Sequence, residues 1–176
     1  MLHRIGQRFF VVWWVRQMAE RQLSQDAMNG GMSSFAAASN ALGRLLVIDD
    51  DTSICTLIEK LGEKVGFAAT RAISVEEATQ LLRTQRFDCI TLDLSLGKDT
   101  GIELLKVLSE MASKTPIIII SGAMRSMRDF AASIGSMMHL PLQEALPKPI
   151  DFAKLKAALA EVKKNLDSQR RATSAA

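Results

Sequence analysis

The sequence holds no tyrosine, two cysteines, two histidines and four prolines in 176 residues. Cys55 and Cys89 form no C-x-x-C pair and no Cys/His spacing, which speaks against a structural zinc and leaves two free thiols suited to a reducing cytoplasm. His3 and His139 lie far apart, with no carboxylate pattern beside either, and read as surface or loop residues. No apolar run approaches the roughly 20 residues of a membrane-spanning helix. No repeat appears at solenoid periods. No glycine-rich phosphate loop is present where one would serve a nucleotide, because Asp51-Thr52-Ser53 stands there instead. Charge of one sign does not dominate either. The net charge is +3, but residues 44–162 carry sixteen acids against fourteen bases, and the basic excess sits in the two ends. The high pI is therefore poor support for nucleic-acid binding, and no nucleic-acid partner is expected.

What is present divides into three parts. Phe9 to Val15 is a seven-residue apolar block flanked by Arg8 and Arg16. It is short for the core of a signal peptide, and no cleavage site follows closely. Asn29 to Asn40 is rich in Gly, Ser, Ala and Asn and reads as a linker. Residues 1–43 are thus expected to form a poorly structured or partly helical N-terminal arm and linker. Membrane contact by an interfacial helix is the alternative. Residues 44–166 are expected to form the folded domain, and 167–176 a flexible C-terminal tail.

The domain alternates strand and helix. Leu45-Leu46-Val47-Ile48 is a buried strand that stops on Asp49-Asp50-Asp51. Ile54, Leu57, Ile58, Leu61 and Val65 recur at helical spacing, and Gly66 ends that helix. Phe67 to Arg71 is a second strand. Ser74 followed by Glu77 is a capping box, opening a helix with Ala78, Leu81 and Leu82 on one face. Cys89 to Leu92 ends on Asp93, and a loop is expected from Leu94 to Thr100. Gly101 then precedes a helix with Ile102, Leu105, Leu108 and Met111 inward. Pro116 to Ile120 ends on Ser121, and a helix follows over about Met124 to Ile134. Met124, Met127, Met137 and Met138 read as packing residues. Glu144 to Pro147 ends on Lys148-Pro149, and Asp151 caps a last helix with Leu155, Leu159, Val162 and Leu166 inward. This alternation predicts an α/β fold, a doubly wound parallel sheet covered on both faces. Right-handed crossovers would bring the strand ends to one edge.

That edge has a definite chemistry. Asp49, Asp50 and Asp93 would repel one another, so they must take up protons or hold a cation. Their hard oxygens favour Mg²⁺. Lys148 adds a fixed positive charge and Ser121 a hydroxyl. Together they suit a phosphoryl group carried on a carboxylate, and Asp93, alone on its strand, is the best nucleophile. Asp51 is read simply as a helix cap.

At these residues the chain resembles the receiver domain of bacterial two-component response regulators. The matching features are Val47-Ile48-Asp49-Asp50-Asp51, the lone Asp93, Ser121-Gly122-Ala123 and Lys148-Pro149, within about residues 44 to 166. The resemblance implies a five-stranded flavodoxin-like sheet of order 2-1-3-4-5, a property of that fold family and not a derivation from this sequence. It implies that Asp93 accepts phosphate from a histidine kinase or phosphotransfer protein in a phosphorelay. Mg²⁺ would be held by Asp49, Asp50, Asp93 and the backbone carbonyl of Ser95, with Ser121 and Lys148 on the phosphoryl oxygens. The chain would then be a cytoplasmic, single-domain response regulator that signals by protein contact. It would be no enzyme beyond its own phosphorylation and dephosphorylation. A receiver-like binding adaptor that is never phosphorylated is the alternative.

Two positions and one stretch depart from the family pattern. Ala145 stands where an aromatic is frequent, so any signal must pass through backbone shifts. Gly97 lies near the place of a usual proline. The stretch from Ser121 to Lys148 is roughly one to one and a half helical turns longer than usual. In these respects the chain is similar to a receiver subgroup linked to cyclic-di-GMP phosphodiesterases. Ser95 and Ala123, both small, suggest a short-lived aspartyl phosphate.

Overall fold

The computed structural model describes residues 42–97, 99–122 and 125–174, with the backbone alone at 125–128 and 132. The expected arm at 1–43 lies outside the described residues except for Leu42 and Gly43, and Ala123, Met124 and the side chain of Met127 lie outside them too. Alternation of strand and helix begins at β1 (Gly43–Ile48), α1 (Thr52–Lys64), β2 (Phe67–Ala72) and α2 (Val75–Thr84). It continues through β3 (Cys89–Leu92), the short β4 (Ser95–Leu96) and β5 (Asp99–Thr100), and α3 (Gly101–Glu110). β6 (Ile117–Ser121), α4 (Arg125–Met137), β7 (Leu142–Pro147) and α5 (Phe152–Ser174) complete it. Five strands form one parallel sheet of order β2-β1-β3-β6-β7, the expected order with β6 and β7 as its fourth and fifth strands.

The period of two along each strand divides the core between the two faces of this sheet. Leu46, Ile48, Ile90, Leu92, Ile117 and Ile119 pack with Ala78 of α2, Leu104, Leu105 and Leu108 of α3, and Ala131 of α4. Leu45, Val47, Cys89, Ile118 and Ile120 pack with Cys55 and Ile58 of α1 and Leu155, Leu159 and Val162 of α5. Burying one such aliphatic side chain contributes roughly 1.5–3 kcal/mol, so the strands' near-continuous apolar runs decide the architecture.

The helix starts are set by polar side chains. Asp51 Oδ1 accepts from the amides of Ser53 and Ile54, and Asp151 Oδ1 from those of Ala153 and Lys154. Ser74 Oγ accepts from Glu77 N while Glu77 Oε2 accepts from Ile73 N, a reciprocal box reaching one residue further back than usual.

Several expectations are corrected. The stretch Leu94 to Thr100 is not plain loop, because β4 and β5 pair antiparallel across a turn that opens on Gly97. Leu57, Met111 and Met137 are exposed, Met137 at 80%. Leu104 takes the inward place in α3 that the spacing assigned to Met111, since Met111 stands past the last helical turn. The C-terminal tail is not free at 167–174: α5 runs to Ser174, far past Leu166. Lys163 pairs with Asp167 one turn on, and Arg170 reaches both Asp88 and the Leu42 carbonyl, so the extension is tied to the base of the sheet.

Candidate functional site

Strand register builds the site. Ile48 lies beside Leu92, so Asp49 and Asp93 leave the ends of two neighbouring strands together. Their backbones stay in line with the sheet: Asp93 N donates to Ile48 O and Asp49 N to Ala72 O. Ser121 ends β6 on the far side of β3, and its carbonyl accepts from Lys148 N, which fixes the start of the segment after β7. The Lys148–Pro149 peptide is cis. Asp49, Asp93 and Ser121 are buried, Asp50 is exposed, and Lys148 reaches in from the surface.

Lys148 bridges the two buried carboxylates. Its Nζ donates to Asp93 Oδ2 at 2.6 Å and lies 2.7 Å from Asp49 Oδ2. The second contact is an ion pair without the alignment of a hydrogen bond, so Asp49 Oδ2 remains a buried oxygen lacking a hydrogen-bond donor. The other oxygens are turned by local amides: Asp51 N donates to Asp49 Oδ1 and Ser95 N to Asp93 Oδ1, both at 3.0 Å. Burial pushes the Asp49 carboxyl above its ordinary pKa, and the Asp93 charge adds to that. The Lys148 ammonium and the Asp51 amide offset only part. For Lys148, burial opposes the charge, but the two carboxylates of Asp49 and Asp93 beside it prevail and hold its pKa above the usual value.

The donor set fits a divalent cation. Asp49, Asp50 and Asp93 each offer a carboxylate oxygen, and these atoms lie within 4.8 Å of one another. One ammonium cannot balance three carboxylates, and Asp49 Oδ2, held by the Lys148 charge with no donor aligned on it, is a hard ligand a cation could share. Ser95, proposed to contribute its carbonyl, sits beside the acceptor through its own amide.

Two residues matter here that the sequence reading did not assign to the site. Gly101 begins α3, and a Cβ there would stand 2.4 Å from the Asp93 carbonyl oxygen. Only glycine lets this helix end pack onto the acceptor's backbone, where Gly101 N donates to Leu94 O. A glycine at a helix's first position was the available signal. Cys55 donates its thiol to Asp49 O at 3.2 Å, and burial raises its pKa to about 11, so it stays a protonated donor. Nothing in the sequence shows which way that thiol points. Gly97 is explained as well: its φ of +60° is closed to proline, whose ring holds φ near −65°. Ala145 is exposed on β7.

The chain is similar to known proteins in sequence and fold. The family model of the response regulator receiver domain matches residues 45–160. The chain is 30% identical over 120 residues to the transcriptional regulatory protein ZraR of Klebsiella oxytoca, covering 66% of this chain and 25% of that protein. It is 36% identical over 78 residues to the alkaline phosphatase synthesis transcriptional regulatory protein PhoP of Bacillus subtilis, covering 44% and 32%. The chain thus matches about a quarter to a third of the length of these relatives. Among solved structures, the receiver domain of Francisella response regulator 1452 superposes with a TM-score of 0.61 at 28% identity, covering 70% of this chain and 98% of that one. A Burkholderia pseudomallei response regulator, solved with a phosphorylated aspartic acid, calcium ion and citrate, gives 0.58 at 26%, covering 73% and 72%. With its sheet order, its acidic edge and more than half its length matched, the chain belongs to the response regulator receiver domain family of two-component signalling.

Proposed function

We propose that Asp93 is the phosphoacceptor of a Mg²⁺-dependent switch, loaded by a histidine kinase or phosphotransfer protein. The observation that carries this is the bridge from Lys148 to both Asp93 and Asp49 at an edge where three carboxylates outnumber the one ammonium. A carboxylate oxygen of Asp93 attacks phosphorus, the bond from phosphorus to the donor's nitrogen breaks, and the leaving imidazole takes a proton. Lys148 is already placed to balance charge on the transferred group, and Ser121 supplies a hydroxyl at the same edge. Mg²⁺, when bound by Asp49, Asp50, Asp93 and the Ser95 carbonyl, would neutralise the phosphoryl oxygens. The chemistry is confined to this chain's own aspartate: transfer on, then hydrolysis off.

Signalling then passes by protein contact. Ala145 provides no aromatic to swing, so a pull on Lys148 is carried through its backbone bond to Ser121 O and into the loops after β6 and β7. The buried free thiols fit a reducing cytoplasm, and among the described residues no helix is long and apolar enough to cross a membrane. Incubation with acetyl phosphate and Mg²⁺ tests the reading. Intact mass should rise by one phosphoryl group, and Asp93→Asn should take up none. An unlabelled wild type that still binds its partner would favour the unphosphorylated adaptor instead. Small Ser95 leaves water a path to the acyl phosphate, so the label should decay well within hours.

A further inference from the structure

At the opposite end of the sheet from Asp93, the loops before β3 and β6 and the far half of α5 enclose a cleft of about 660 Å³. Its volume lies in the range of small-molecule sites. Leu82, Met111 and Leu166 give it accessible apolar surface, with the buried Phe87 and Leu108 beneath. Two cations, Arg86 and Lys114, stand on its rim, and neither has an ion pair or side-chain hydrogen bond among the described residues. Asp88, the one carboxylate in the lining, already accepts from Arg44 N and from Arg170. Gln143, Asn165 and Gln169 also line the cleft, and among the described residues their side-chain amides make no hydrogen bond. An apolar floor under unpaired cations and free amide donors has the chemistry of a receptor for one kind of molecule.

We propose that this cleft binds an amphipathic organic anion, an aromatic or acyl body bearing one carboxylate, sulfonate or phosphate headgroup. The body would lie on Met111 and Leu166, and the headgroup between Arg86 and Lys114. The site is independent of the phosphoacceptor reading, because none of its residues belongs to the acceptor edge. It owes its wall to the α5 extension, which Arg170 holds in place through Asp88 and the Leu42 carbonyl. A chain whose last helix stopped at Val162 would lack that wall.

Anilinonaphthalene sulfonate is a suitable probe, since its fluorescence rises on leaving water. Wild type should show saturable one-to-one binding. The double change Arg86→Gln with Lys114→Gln should weaken it about tenfold or more, as expected for losing charge-assisted bonds. Lys148→Gln should leave it unchanged. An amide-shift titration of the unmodified protein with octanoate gives a reading that needs no variant. Shifts should concentrate at Phe87, Thr115 and Leu166. Absence of saturable binding, equal affinity in the double variant, loss on Lys148→Gln alone, or shifts confined to Asp49 and Asp93 would each overturn the proposal.

Discussion

The two ends of the sheet use the same groups, carboxylates against cations, to opposite ends. At the base, Asp88 accepts from the first strand's Arg44 N at 2.8 Å and from Arg170 at 3.2 Å, while Arg44 lies over the Phe87 ring and donates to Gln85. The groups are partly solvated, and the carboxylate is not crowded by others. Such an arrangement ties elements together and leaves no excess charge on the carboxylate. At the acceptor edge, two buried carboxylates share one ammonium and a third stands beside them. Negative charge there is in excess, which makes the edge receptive to a cation and to phosphorus. Reactivity follows from that excess, not from the mere presence of acids.

The sharpest way to break this contrast is to remove one acid at each end. Asp93→Asn should abolish labelling by acetyl phosphate, whereas Asp88→Asn should retain it; equal losses measured by intact mass would dissolve the distinction. Next in size is Gly101→Ala. The added methyl would meet the Asp93 carbonyl at 2.4 Å, so urea unfolding should show a loss of about 3 kcal/mol, with labelling slowed because the acceptor's backbone must move.

Lys148→Met tests the shared ammonium. A fully buried pair would lose roughly 3–5 kcal/mol, but this lysine is 23% exposed and screened, which brings the loss to about 2 kcal/mol. The pH dependence has a definite sign. Lys148 has a folded pKa above its unfolded value of 10.5, so its contribution is complete below that value and is lost as pH rises through the folded one. The variant should lack this alkaline loss in metal-free unfolding scans. At the base, Asp88→Ala should cost about 1 kcal/mol and loosen the end of α5, seen as faster amide exchange beyond Leu166.

The smallest effect has the opposite direction. Thr91, two residues before Asp93 and facing the same apolar layer as Val47 and Ile118, buries a hydroxyl with no partner. Thr91→Val keeps the shape and removes the stranded oxygen, so thermal unfolding should show a gain of about 1 kcal/mol. A loss there would mean that the hydroxyl serves the acceptor strand in some unrecognised way.

Much of this was legible beforehand, for reasons tied to particular residues. Apolar runs ending on Asp49, Asp93, Ser121 and Lys148 could be read because a parallel sheet buries both faces of a strand and leaves its polar end at one edge. Asp51, Ser74 and Asp151 declared the helix starts because capping is a contact within three residues. Leu57 and Met111 misled because helical spacing gives a direction, not the neighbour that would cover it. The length of α5 was missed because its last turns carry no apolar stripe and are held by Arg170, whose partners lie at Leu42 and Asp88.

By itself, then, the sequence determined the alternation of elements and the polar groups at the strand ends, since these are short-range consequences of side-chain period and polarity. Only the tertiary structure decided that one ammonium would serve two carboxylates, that Cys55 would hold the Asp49 carbonyl and that Gly101 would admit α3 against Asp93. The first joins groups 55 residues apart, while the other two are close in sequence. All three depend on how a helix seats against the end of a strand, which no local pattern of residues encodes.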